Sequence, residues 1–163
     1  MKNIIMIITL FLSFSVMADT LKSHVFVGIK RPYTLRKLGM AGASMAAYTK
    51  VRIQGERGTT IGSPTFIFTN AFEANPSDSQ ARFNILIGYK TTGLPMAVGS
   101  VKSYRMKKVE SLSFDFSGQK KELFQKVFRL MHEHKDLLTG EVRVMAKSST
   151  LYTIAATVHL IKK

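Results

Sequence analysis

The chain has 163 residues, with 24 lysines and arginines against 10 aspartates and glutamates and a formal net charge of +14. It contains no cysteine, which excludes thiol catalysis, disulfide scaffolds and cysteine-based metal sites and leaves stability to packing. A cationic balance of this size attracts anions: nucleic acid, anionic lipid headgroups, acidic polymers of the cell envelope or an acidic small molecule.

Met1-Lys2-Asn3 is a short positive head, and Ile4 to Val16 is an almost unbroken apolar run without charge. A run of about thirteen residues falls short of the roughly twenty that a permanent membrane span needs, so it reads as an export signal. Val16-Met17-Ala18 supplies the residues a signal peptidase reads, with cleavage expected between Ala18 and Asp19. No cysteine follows, so the chain does not read as a lipoprotein. The expected organisation is a signal peptide over 1–18 and one domain over 19–163, periplasmic or secreted, with no transmembrane segment in the mature chain. Removing Lys2 with the signal lowers the charge from +14 to +13. Export takes nucleic acid off the list of partners. The basic pairs Lys30-Arg31, Arg36-Lys37, Lys107-Lys108, Lys120-Lys121 and Lys162-Lys163 are scattered, as on a solvated cationic surface.

The first strand is expected over His24 to Lys30, β-branched and closed by Pro32, in a central place. Leu35, Leu38, Met45 and Tyr48 then recur at helical spacing among Ala41, Ala43, Ala46 and Ala47, which predicts one long helix from Thr34 to about Ile53. Gly55 to Gly62 reads as a turn. Strands are expected over Pro64 to Thr69 and Arg82 to Tyr89, with a loop between them signalled by Asn75-Pro76-Ser77-Asp78. After a connection over Gly93 to Gly99 the order repeats. Val109 to Phe116 alternates Leu112, Phe114 and Phe116 with Ser111, Ser113 and Asp115, which predicts a strand with one buried face. Gly118 leads into a second helix, from Gln119 to about Lys135, whose Leu123, Phe124, Val127, Phe128, Leu130 and Met131 form a broad apolar stripe. Two strands close the chain, Glu141 to Lys147 and Leu151 to Ile161. The fold class is α+β: two β-α-β-β units joined in one mainly antiparallel sheet, with both helices on one face and a ligand crevice between the halves.

Two segments carry a resemblance. Ile61-Gly-Ser-Pro-Thr-Phe-Ile-Phe-Thr69, followed by Ala81-Arg-Phe-Asn-Ile-Leu-Ile-Gly88, is similar to the glycine-proline turn, aromatic strand and following strand of the GyrI-like small-molecule-binding family. That family also supplies the effector-binding domain of multidrug-sensing regulators and is related in architecture to the SOUL haem-binding proteins. Ser117-Gly-Gln-Lys-Lys-Glu-Leu-Phe124 stands where the family turns into its second helix. The resemblance implies ligand binding without chemistry. Members that sense lipophilic cations set an acidic residue at the base of an aromatic pocket, and here Glu110 is the one inward candidate by strand parity. Gln119 departs from the proline and aromatic residues common at that turn, and no DNA-binding helix pair precedes the domain.

Catalytic constellations are absent from the sequence pattern. His24, His132, His134 and His159 hold no metal-ligand spacing, since His132 and His134 point apart on a helix. The SOUL-like architecture leaves a haem ligand conceivable at His132 or His159, though no spacing asks for one. There is no Gly-x-Ser-x-Gly elbow, and Gly55-Glu-Arg-Gly58 lacks the spacing and lysine of a phosphate loop. No enzyme activity, cofactor or metal is expected. The aromatic residues Tyr33, Tyr48, Phe66, Phe68, Tyr89, Phe114 and Tyr152, with Glu110, are the candidate ligand contacts, tyrosines above all because a half-buried phenol offers its hydroxyl. The expected function is an exported module that holds an apolar or anionic molecule between its halves. The alternative is a basic interaction protein that docks its surface on anionic envelope lipid, polymer or a protein partner.

Overall fold

The computed structural model of this chain describes residues 16–56, 58–73, 80–92 and 97–163. Most of the expected signal segment, the loop signals Asn75 to Asp78 and the first part of the connection from Gly93 lie outside the described residues. Among them the elements run β1 (Met17–Leu21), β2 (His24–Tyr33), α1 (Leu35–Gly55), β3 (Thr59–Phe68), β4 (Phe83–Thr92), β5 (Ala97–Val98), β6 (Val101–Met106), β7 (Val109–Gln119), α2 (Lys120–Glu133), β8 (Leu138–Ser149) and β9 (Thr153–Lys162). The expected α+β class holds: the strands form one antiparallel sheet in the order β1-β7-β9-β8-β3-β4-β2-β6-β5. The two units, β2-α1-β3-β4 and β7-α2-β8-β9, meet where β3 pairs with β8, Phe66 opposite Val144 and Phe68 opposite Val142. Both helices lie on one face, α1 against β2, β3 and β4 and α2 against β7 and β9.

That face is the core. Val27, Ile85, Ile87, Phe68, Val142, Val144, Val158, Leu160 and Phe114 are buried with Leu123, Val127 and Met131 of α2 and Leu38, Ala46 and Ile53 of α1. Each large side chain so enclosed contributes about 1.5–3 kcal/mol relative to exposure. Both helices begin on caps: Thr34 accepts from the Lys37 amide at 3.2 Å, and Gln119 and Glu122 bond reciprocally in a capping box.

The expectation that β7 has one buried face needs correction. Ser111 and Ser113, on the face away from the helices, are buried as well. The reason is curvature. β1 and β2 are separated by five strands in the sheet order, about 29 Å in a flat sheet at about 4.8 Å per strand. Only Lys22 and Ser23 join them, and only Lys107 and Lys108 join β6 to β7, a reach of at most about 11 Å. The sheet is therefore curled most of the way to a barrel, with the helices outside. Its concave face encloses Phe26, Ile67, Leu86, Arg143, His159, Ile161, Ser111 and Ser113. Gly28 pairs with Gly88 at a tight point of that curl, where a Cβ on Gly88 would stand 2.0 Å from the Val27 carbonyl oxygen.

Other differences have local causes. β3 starts at Thr59, inside the stretch read as a turn, because Thr59, Thr60 and Ile61 pair with Thr92, Thr91 and Lys90. Gly62, at φ +71°, then takes up the bulge before Thr65. β1 and β6 were not expected: Met-Ala-Asp-Thr-Leu and Val-Lys-Ser-Tyr-Arg-Met lack a clear apolar parity, and edge pairing with β7 and β2 makes them strands.

Candidate ligand-binding cleft

Because the two helices rest on separate halves, a cleft opens between them over the β3–β8 junction. Its inner compartment is a cavity of about 370 Å³, within the range of small-molecule sites. α1 makes the room. Along the cleft it presents Gly39, Gly42, Ala43, Ala46 and Ala47, residues with little or no side chain, and a Cβ on Gly42 would already stand 3.1 Å from the Phe66 ring. Phe66, Phe68 and Tyr89 of the sheet, Leu123 and Phe124 of α2, and Val144, Ala146 and Ile154 complete an apolar wall. Phe68 stands edge-on to Phe124, centroids 5.9 Å apart, and to Phe83 at 6.0 Å, which fixes the floor.

The polar groups of this cavity are few. Lys50, Lys120 and Lys147 reach its lining, with Ser148, Ser149 and Tyr89, and no carboxylate is among its described lining residues. Lys147 is bound by Asp115 at 2.9 Å. Lys120 donates its ammonium to the Thr150 carbonyl, and partial burial holds it below the ordinary lysine pKa. Burial also pushes the Tyr89 hydroxyl above the usual tyrosine value. An outer compartment of about 810 Å³ adjoins the cavity, sharing Gly39, Lys120 and Phe124 with it and bordered further by Arg36, Lys121, Leu151 and Tyr152.

Of the eight candidate contacts, the structure brings Phe66, Phe68 and Tyr89 together on the cavity wall and sets Tyr152 at the outer compartment. The other four lie elsewhere. Tyr48 is on the solvent side of α1, its hydroxyl accepting from Arg52 Nε at 3.0 Å, because the buried stripe runs Leu38, Gly42, Ala46, Thr49, Ile53, one position off. Tyr33 is half-buried at the end of β2, packed against the core. Phe114 is enclosed in the core, with the Lys126 ammonium 4.3 Å from its ring centre. Glu110 has the parity of the helix-covered face but stands exposed at the start of β7, 4.0 Å from Lys162. Sequence reasoning missed the small residues of α1, which read as helix formers, and Lys120, hidden in a dispersed charge pair.

The concave face brings a serine, a histidine and an aspartate together. Ser111 Oγ lies 3.2 Å and Asp19 Oδ2 3.7 Å from the same nitrogen of His159, Nδ1, while Nε2 has no partner among the described residues. A proton relay needs its serine and carboxylate on opposite ring nitrogens, so this cluster is not arranged as a catalytic triad. Burial outweighs Asp19 and lowers the His159 pKa. His132 is exposed on α2. Among the described residues no group of three metal-ligating side chains converges, and no helix is long and apolar enough to cross a membrane.

No protein-family model matches the sequence, and no curated relative does. Solved structures do match in fold. The C-terminal domain of EcmrR superposes with a TM-score of 0.70 at 8% identity, over 93% of this chain and 99% of that domain. In an EcmrR–DNA complex the match has a TM-score of 0.71 at 8% identity, and it covers 92% of this chain but only 58% of the EcmrR chain. SAV2435 bound to tetraphenylphosphonium matches at a TM-score of 0.63 and 12% identity, over 91% and 94% of the two chains. A hydrolase encoded by lin2189 of Listeria innocua matches at 0.56 and 13% identity, over 92% and 93%. At these identities the likeness is one of fold: this chain shares its fold with the C-terminal domain of EcmrR and with SAV2435.

Proposed function

We propose that this protein is an exported, non-enzymatic binding module that takes an apolar or anionic small molecule into the cleft between its two halves. The observation that carries the reading is the apolar cavity, lined by lysines with no described carboxylate. SAV2435, of the same fold, is seen with tetraphenylphosphonium, a lipophilic cation. Here the charged lining residues are lysines, of the same sign as that ligand, and the net charge of the whole chain repels a cation on approach. Anionic or neutral amphiphiles suit the cleft better than cations of similar size, by at least about tenfold in affinity, roughly 1.4 kcal/mol. Nucleic acid has no place in this reading. A competition titration of an anionic dye against a lipophilic cation tests it, and a higher affinity for the cation overturns it. The intact mass of protein recovered from the periplasm tests export: a chain beginning at Asp19 supports it, and one beginning at Met1 refutes it.

A further inference from the structure

Leu151 and Tyr152 lie in the turn between β8 and β9, where they stand 57% and 75% exposed. The turn itself is tightly held. The Thr150 amide donates to the Thr153 carbonyl at 3.0 Å, and the Thr150 hydroxyl oxygen accepts from the amides of Tyr152 and Thr153 at 3.3 and 3.0 Å. The start of α2 is tied to the same turn, because the Lys120 amide donates to the Tyr152 carbonyl at 2.8 Å and the Lys120 ammonium to the Thr150 carbonyl. A fixed backbone thus holds two apolar side chains in water beside the Lys120-Lys121 pair. On its α1 side the outer compartment of the cleft is bordered by the same two kinds of group, Met40 at 70% exposure and the exposed Arg36. No carboxylate is among the described lining residues of that compartment. Glu122, the acid in the first turn of α2, accepts from the Gln119 amide at 3.3 Å.

We propose that this mouth of the cleft docks on the surface of an anionic lipid bilayer, Met40, Leu151 and Tyr152 entering the boundary between headgroups and acyl chains and Arg36, Lys120 and Lys121 meeting the headgroup phosphates. The combination selects the partner. A soluble polyanion engages the basic residues and leaves three large apolar side chains in water, whereas a bilayer interface takes both kinds of group within a depth of about 5–10 Å. Tyrosine suits that level, with its ring among the chains and its hydroxyl among the headgroups. Each basic residue close to an anionic surface strengthens attachment about fivefold, and the positive charge of the whole chain draws it in. The docking surface shares Gly39, Lys120 and Phe124 with the inner cavity, so a molecule dissolved in the bilayer meets the cleft without crossing water. The proposal goes beyond ligand binding in the cavity and does not depend on what the cavity holds.

The chain has no cysteine, so one introduced cysteine reports a single place. The full chain with Met40→Cys, carrying an environment-sensitive dye, is titrated with vesicles of phosphatidylcholine alone and of phosphatidylcholine mixed with phosphatidylglycerol. A blue shift is expected with the anionic vesicles only, weakening as salt is raised, and none from a dye on Lys107→Cys, in the β6–β7 link at the other end of β7. The lipid concentration at half-shift then ranks variants. Leu151→Ser with Tyr152→Ser raises it about tenfold through lost apolar burial. Arg36→Gln with Lys121→Gln raises it about twentyfold. Lys107→Gln with Lys108→Gln removes the same charge far from the mouth and raises it less than about threefold. All these side chains are exposed, and an unchanged Tm shows that each variant folds. An unshifted dye at position 40 overturns the proposal, including the case in which the apolar run from Ile4 to Val16 attaches the chain elsewhere. Equal effects of the two charge pairs also overturn it, as does salt-sensitive attachment that ignores Leu151 and Tyr152, the mark of a polyanion. None of these readings needs a ligand in the cavity, so this docking and the ligand preference of the cleft stand or fall separately.

Discussion

α1 and α2 occupy equivalent places in the two halves, yet they are made of different material. α2 puts Leu123, Val127, Leu130 and Met131 into the core, with Phe124 and Phe128 packed beside them. α1 offers Leu38, Gly42, Ala46, Thr49 and Ile53. With a bulky helix on one side and a small-residue helix on the other, the sheet beneath is filled under α2 and left open beside α1. Duplication supplies the crevice, and the departure from symmetry gives it volume. The helix that stabilises most and the helix that shapes the site are thus different helices, and substitutions on them separate the two properties.

The largest effect is expected on α2. Met131→Ala removes a side chain that is 2% exposed and lines neither compartment of the cleft, and should lower unfolding stability by about 3 kcal/mol in urea denaturation, through lost burial and the void left behind. On α1 the sensitive direction is the reverse. Ala43→Phe places a ring in the cleft from an exposed position; ligand affinity should fall at least about tenfold, roughly 1.4 kcal/mol, with little change in Tm. A large loss of stability with unchanged binding would remove the distinction between the helices. Thr34→Ala takes away the α1 cap and should cost about 1 kcal/mol, read by the same denaturation and without effect on α2.

The smallest effect concerns the concave face. His159 has its pKa lowered by burial from the ordinary 6.5, partly offset by Asp19. The unfolded chain therefore binds a proton at a pH where the folded chain does not, so stability rises with pH through this window. The contribution is fully present above about pH 6.5 and declines as the pH falls below it. His24 has the same sign, again chiefly from burial. Tm measured from pH 8 to pH 5 should fall less steeply in His159→Gln than in the unaltered protein; an equal slope would show that other groups govern the acid limb.

Much of the architecture was legible because it is written in local patterns. The apolar stripe of α2 and the β-branched runs of β2 and β4 each name their element without help from the rest of the chain. β1 and β6 were not legible, since their strand state comes from partners far away in sequence and not from their own composition. The curl of the sheet was hidden for a similar reason: it follows from two-residue links between strands whose places in the sheet are known only once the pairing is known. Ser111 and Ser113 read as solvent-facing and are enclosed by that curl. The cleft was half legible. Phe66, Phe68 and Tyr89 reach it because alternation on β3 and β4 sets their face, whereas the space itself comes from alanines and glycines, which propensity counts as ordinary helix or turn residues. Glu110 shows the limit of parity, which gives the face of a strand and says nothing of distance along it.

The pairing of β1 has a consequence in time. Ser111 on β7 bonds the Asp19 carbonyl across a separation of 92 residues, so β1 must wait for most of the chain before its partner exists. At roughly 5–20 residues per second, synthesis leaves it unpaired for several seconds, and contacts of such long range are slow to close even then. Asp19, Thr20 and Lys22 keep the waiting segment polar, a poor template for stray strand pairing. A chain whose first strand pairs only with β7 closes that edge of its sheet late in synthesis.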